Sequence, residues 1–151
     1  MVNADKKRIQ ILEAATKRFS HFGLAKTTMS EIAQDLSFSK ALLYYYFPDK
    51  NALYAAVLEH VVNQSFAEMD AAVADIDDCI EAMMLVLDKR IEFITRYYNL
   101  LEYSVSAVQQ LPDEMAQVLR ESKNKEIGII QKILQRGVET GQLQTDNVRE
   151  T

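Results

Sequence analysis

Residues Thr27 to Tyr54 read TTMSEIAQDLSFSKALLYYYFPDKNALY, and the punctuation of this stretch decides the fold. Met29, Ile32, Ala33 and Leu36 recur at helical spacing, and Thr28 with Glu31 forms a Thr-x-x-Glu capping box that fixes where the helix begins. Ser37-Phe38-Ser39 reads as a turn, and Ser39 can cap a second short helix running through Tyr46. Pro48 then forces a break, and Asp49 caps a third helix. The result is helix, tight turn, helix.

Lys40 and Lys50 each fall in the first turn of a predicted helix, where the macrodipole disfavours a cation by about 0.3–1 kcal/mol. An anion docked at the helix start would reverse that cost, because N-terminal amides and a lysine together make a phosphate site. Tyr44, Tyr45 and Tyr46 point about 100° apart on a helix and cannot all face one core. At least one phenol is therefore exposed beside the lysines, as suits a surface that grips sugar-phosphate.

The run LYYYFPDKNAL, preceded by TTMSEIAQDLSFSK and by ILEAATKRFSHFGLAKT, resembles the signature of the TetR (tetracycline-repressor-like) family of one-component transcriptional regulators. The resemblance is close over the N-terminal third of the chain and extends further only as a helical pattern. It implies an all-α fold, with a three-helix, homeodomain-like helix-turn-helix DNA-binding head over residues 1–50 and a partial helical-bundle body for effector binding and dimerisation over 51–151. It also implies roles for individual residues. Thr28 matches a phosphate contact and Ser30 a position that reaches a base edge, and Ser39, already read as the cap of the recognition helix, is expected among the DNA-binding residues. Lys40, Ala41 and Tyr44 match base-facing positions, and Tyr45, Tyr46 and Lys50 match phosphate contacts.

Elementary chemistry agrees for most of these. Lys40 can donate to guanine O6 or N7, a contact that discriminates by about 1–3 kcal/mol when well formed, and Ala41 can meet a thymine methyl. Leu42, Leu43 and Phe47 read as packing, whereas Tyr44 reads either as DNA-facing or as a partly buried strut. Two departures from the family pattern stand in this stretch: Ala41-Leu42 where Gly or Pro then Thr is common, and Phe38 where a smaller aliphatic is usual. No relative's operator sequence transfers to this chain.

Composition supports the helical reading. A chain of 151 residues with 4 Gly and 2 Pro, rich in good helix formers, is long enough to bury roughly 68–70% of its unfolded surface. The polar start MVNADKKRIQ has no signal-peptide pattern, and no apolar run approaches the ~18 residues that span a bilayer, so a cytoplasmic protein without membrane contact is expected. One cysteine, Cys79, and two histidines, His21 and His60, build neither an internal disulfide nor a zinc site, and no cofactor or metal is expected. The net charge of −5 divides unevenly. Residues 1–50 hold eight basic and five acidic side chains, a net of +3, and residues 51–151 hold nine and 17, a net of −8. A basic head on an acidic body favours one orientation of approach to DNA.

In chain order, a first helix from about Asp5 to His21 carries Leu12, Ala15, Phe19 and Phe22 as its stripe, with Ile11 at the edge and Gly23 at its end. Lys6, Lys7 and Arg8 read equally as solvated charges or as flanking phosphate contacts. After Asp49, the pattern Leu53, Ala56, Val57, His60, Val61 extends a helix to about Met69, and an acidic connector follows from Ala71 to Asp77. Asp78 and Glu81 repeat the capping box before the set Ile80, Met83, Met84, Leu87, Ile91 and Ile94. Asp75, Asp77 and Asp78 are accounted for by capping and the helix dipole.

An aromatic-rich helical stretch follows through Phe93, Tyr97, Tyr98, Tyr103 and Val105. A last helix starts near Pro112 and ends before Gly141. The family resemblance places an effector cavity among these helices, with Met83, Leu87, Phe93, Tyr97, Tyr103 and Met115 as candidate lining; the same residues also read as plain core. An apolar cavity with tyrosine hydroxyls suits a small lipophilic ligand.

The resemblance further implies a homodimer on a palindromic double-stranded DNA operator, with recognition helices about 34–36 Å apart, and C-terminal dimerisation helices that this chain is expected to lack. A repressor released by a small ligand is the leading expectation. A TetR-like adaptor whose body meets a protein partner is the alternative. An enzyme is set aside, since no nucleophile, base and orienting group converge in the pattern and no glycine-rich phosphate loop exists.

Overall fold

The computed structural model describes residues 2–101 and 113–144, with side chains described from Lys6 onward and excepting position 114. Its principal helices are α1 (Val2–Phe22), α2 (Met29–Asp35), α3 (Lys40–Tyr46), α4 (Lys50–Ala74), α5 (Cys79–Arg96) and α6 (Asp113–Glu139), and residues 98–101 are also helical. The all-α expectation holds. Two compact units divide the chain, one of Met1–Val61 with Arg96–Val118 and the other of Val62–Thr95 with Leu119–Thr151, so the unit that contains the head reaches past residue 50.

In the first unit, α1 buries Ile11, Leu12, Ala15 and Phe19. Phe22 does not continue this stripe as the spacing predicted. It is exposed beside His21, because the helix ends there: Gly23 takes φ +77° and its N–H closes on the Phe19 carbonyl at 2.9 Å. The side-chain amide of Asn99 donates to the Ser20 and His21 carbonyls at 3.1 Å each, satisfying acceptors that the end of α1 leaves open.

Each predicted cap forms. The Thr28 hydroxyl accepts the Glu31 N–H at 3.2 Å, and Glu31 Oε2 accepts the Thr28 N–H at 2.9 Å. Ser39 Oγ accepts the Leu42 N–H at 3.1 Å, and Asp49 Oδ1 accepts the Ala52 N–H at 2.8 Å. Between α2 and α3, Ser37 adopts φ +53°, a left-handed turn without glycine. Leu43 and Phe47 close the α3 side of the core, and the rings of Phe19 and Tyr54 meet edge to face at 5.6 Å. The Tyr54 hydroxyl donates to the Leu100 carbonyl.

The second unit packs Met69 and Val73 of α4, Cys79, Ala82 and Val86 of α5, and Ile129 and Ile133 of α6 into one core. Here α4 continues to Ala74, past the expected end at Met69, because Val73 is needed in this core and Arg136 caps the open carbonyls of Val73 and Ala74 at 3.0 and 2.9 Å. Asp78 Oδ1 accepts from the N–H groups of Ile80 and Glu81, which is the Asp78 half of the predicted capping box.

The face that α5 buries is the unexpected one. Ile80, Met84, Leu87, Ile91 and Ile94 are exposed, Ile80 and Ile91 at 64% and 63%, while Cys79, Ala82 and Val86 turn inward. Small side chains allow α5 to approach α6 closely, where a Cβ on Gly137 would lie 3.0 Å from Cys79 Cβ. Cys79 is a packed residue.

Candidate nucleic-acid interface and body cavity

The recognition helix separates its residues by one helical rule: positions three or four apart share a side. Leu43 and Phe47 face inward, so Lys40, Ala41, Tyr44 and Tyr45 are left exposed, Tyr44 at 42% and Tyr45 at 80%. Tyr46 is half-buried with its ring edge-on to Tyr45 at 5.2 Å. A cation, a methyl group and two phenols thus stand together on an otherwise unused face. Their chemistry matches base edges and phosphates.

Around this face, Ser30 and Ser39 are exposed, the latter engaged as a cap. Thr28 is exposed, but both its hydroxyl proton and its N–H already go to Glu31, at 2.8 and 2.9 Å. A phosphate at Thr28 would have to displace that carboxylate.

Lys50 is less open than the residues of the α3 face. It is half-buried, and its ammonium donates to the carbonyls of Leu24 at 2.9 Å and Thr27 at 3.2 Å. Two of its three donors serve the loop between α1 and α2. Arg8 likewise stacks over the Phe47 ring, 5.2 Å from the centroid.

An ion-pair clamp that the sequence reading missed holds α1 against α2. The Arg18 guanidinium grips Asp35 through Nε at 2.6 Å and Nη2 at 2.8 Å and lies 3.4 Å from Glu31. The bond from Arg18 holds the Asp35 carboxyl below its ordinary range. Glu31 is lowered chiefly by the Thr28 hydroxyl, then by the Thr28 N–H and the charge of Arg18. Arg18 is raised, first by its bond to Asp35. Partners 13 and 17 positions apart leave no periodic signal in the sequence.

In the second unit, a cavity of about 140 Å3 opens among α4, α5 and α6. Val62, Phe66 and Met69 from α4 and Phe93 and Ile94 from α5 supply its apolar wall. Ser65, Ser122 and the bonded pair Arg90–Glu126 supply the polar groups. Of the expected lining residues, Phe93 reaches this cavity. Met83 packs against the core, Leu87 is exposed, and Tyr97 and the fully buried Met115 belong to the first unit. Tyr103 lies outside the described residues. The Arg90–Glu126 pair was not foreseen, because charges 36 positions apart show no pattern.

Among the described residues, no helix is long and apolar enough to cross a membrane, and no group of three His, Cys, Asp or Glu side chains is placed to hold a metal ion.

Comparison with known proteins agrees with this fold. Residues 11–57 match the family described as bacterial regulatory proteins, tetR family. Over 95% of its length the chain is 28% identical to the HTH-type transcriptional repressor NicS of Pseudomonas putida, spanning 68% of that protein. A transcriptional regulator from Cytophaga hutchinsonii is 36% identical, with a TM-score of 0.82 over 93% of this chain and 71% of its own. A regulator from Saccharomonospora viridis, solved in complex with choline, has a TM-score of 0.81 at 19% identity over 97% of this chain and 77% of its own.

The fold and these matches define a DNA-binding transcriptional regulator rather than an enzyme. The chain belongs to the TetR family. Matches that run along nearly the whole chain do not support the expectation that it lacks the dimerisation helices.

Proposed function

We propose that this regulator is a cytoplasmic repressor that binds a palindromic operator as a homodimer and is released when a small lipophilic ligand enters the body. The exposed Lys40-Ala41-Tyr44-Tyr45 face carries the reading, backed by the division of charge into a basic head and an acidic body. Lys40 and Ala41 read bases, and Tyr44, Tyr45 and Tyr46 contact bases and backbone. Lys50 orients the head through its bonds to the loop between α1 and α2. The cavity lined by Phe66, Met69 and Phe93 holds the ligand, and control requires that the ligand prefer one conformational state over the other. A choline-bound relative supports a small-molecule site in a body of this fold.

The exposed stripe on α5 favours a second reading, a DNA-bound adaptor whose body meets a protein. Selection of bound DNA from a random pool at two salt concentrations tests the head. A palindromic site with steep salt dependence is the expected result, and recovery of no sequence overturns it. Release of that DNA by a small molecule then separates repressor from adaptor.

A further inference from the structure

The two charges in the body cavity are covered unequally. Arg90 and Glu126 are bonded to each other, yet the Arg90 side chain is 54% exposed and that of Glu126 only 19%. A charged ligand entering between α5 and α6 competes for one of them. An anion taking Arg90 would strand Glu126 without its partner in a covered position, the costly way to break a pair. A cation taking Glu126 would release Arg90 to water, which its side chain already meets.

The rest of the cavity favours the same sign. Phe66 and Phe93 bring two aromatic rings, and Met69 a polarisable sulfur, to a wall whose remaining groups are aliphatic or hydroxyl. Residues 51–151 carry a net charge of −8, which concentrates cations near the body. At about 140 Å3 the cavity seats one end of a small ligand, a ring or a trimethylammonium, since a dry cavity of roughly 150 Å3 takes benzene, and displacement of the half-exposed Arg90 frees room for the other end.

We infer that the effector is a small lipophilic organic cation, a quaternary or alkylated ammonium, whose charge replaces Arg90 at Glu126 and so opens the bridge between α5 and α6. The inference rests on the ligand-responsive reading above.

Calorimetric titration of the full chain with phenyltrimethylammonium, its neutral carbon isostere tert-butylbenzene and benzoate tests it without DNA. Phenyltrimethylammonium should bind at least about tenfold tighter than either. Glu126→Gln should remove about tenfold of that affinity while leaving the neutral isostere unchanged, and Arg90→Gln should tighten cation binding severalfold by removing the internal competitor. A thermal melt of each variant checks that it folds. Absence of cation binding, tighter binding of benzoate, or loss of cation affinity in Arg90→Gln but not in Glu126→Gln overturns the inference. A neutral or anionic compound that releases the chain from DNA would also overturn it while leaving the repressor reading intact. Failure of the DNA selection would count against that reading alone.

Discussion

The ammonium of Lys50 lies 2.9 Å from the carbonyl oxygen of Leu24, tying the first turn of α4 to the loop that precedes α2. The macrodipole penalty of a cation at this helix start is offset by Leu24 and by Thr27, whose own fully buried hydroxyl donates to the Gly23 carbonyl. Lys50→Ala should therefore lower unfolding stability by about 1.5–3 kcal/mol in urea titrations, the range for hydrogen bonds to charged groups. DNA affinity should fall with little change in salt slope. Lys40→Ala, on the exposed face of α3, should lower the slope by about one and relax sequence preference. A unit change in slope for Lys50→Ala at unchanged stability would return Lys50 to the backbone contacts.

The clamp of Arg18 on Asp35 makes head stability depend on acid. Asp35 and Glu31 are both lowered in the fold, so their contribution is present above the unfolded carboxylate pKa and is lost as pH falls through the folded values. Asp35→Asn should melt below the parent chain at neutral pH, with the difference closing below the ordinary carboxylate range. High salt should shrink it as well, because these groups are solvent-exposed. A difference that persists unchanged to low pH would show that Asp35 acts through packing rather than charge.

Gly137 and Gly128 lie on the same helix and should respond oppositely to alanine. A Cβ at Gly137 would sit 2.9 Å from Leu143 Cδ1 and 3.0 and 3.1 Å from Cys79 Cβ and Sγ, whereas one at Gly128 meets nothing within 4 Å. Leu143 can yield, but Cys79 is fixed near the start of α5. Gly137→Ala should cost about 1–3 kcal/mol through overpacking despite the gain in helix propensity. Gly128→Ala should stabilise by up to about 1 kcal/mol. Equal stabilisation by both, measured by denaturant midpoint, would mean that α5 and α6 are not in close contact.

What the sequence discloses about this molecule is local. Thr28, Ser39, Asp49 and Asp78 cap their helices as read, because a cap bonds within two or three residues of itself. Three consecutive tyrosines guarantee an exposed phenol in any packing, and Tyr45 is one. Ties between distant segments leave no such trace. Lys50 to Leu24, Asn99 to Ser20 and Arg90 to Glu126 depend on tertiary placement, so the ties of Lys50 and the polar end of the cavity were hidden. Periodicity also failed to choose between two faces of α5, since the bulky set and the small set both recur at helical spacing.

That choice of face can be tested directly. Ile80, Met84, Leu87, Ile91 and Ile94 advance in alternating steps of four and three along the exposed side of α5, opposite the buried Ala82 and Val86. Ile91 is 63% exposed, so Ile91→Lys should shift unfolding free energy by no more than about 0.5 kcal/mol. Ala82→Leu, by contrast, inserts bulk where Ala82 is fully buried and should cost about 1–3 kcal/mol. Denaturant titration of the two variants at several protein concentrations separates the outcomes. A loss in Ile91→Lys matching that of Ala82→Leu would mean that something covers the stripe in solution, and dependence of that loss on protein concentration would identify a second copy of the chain as the cover.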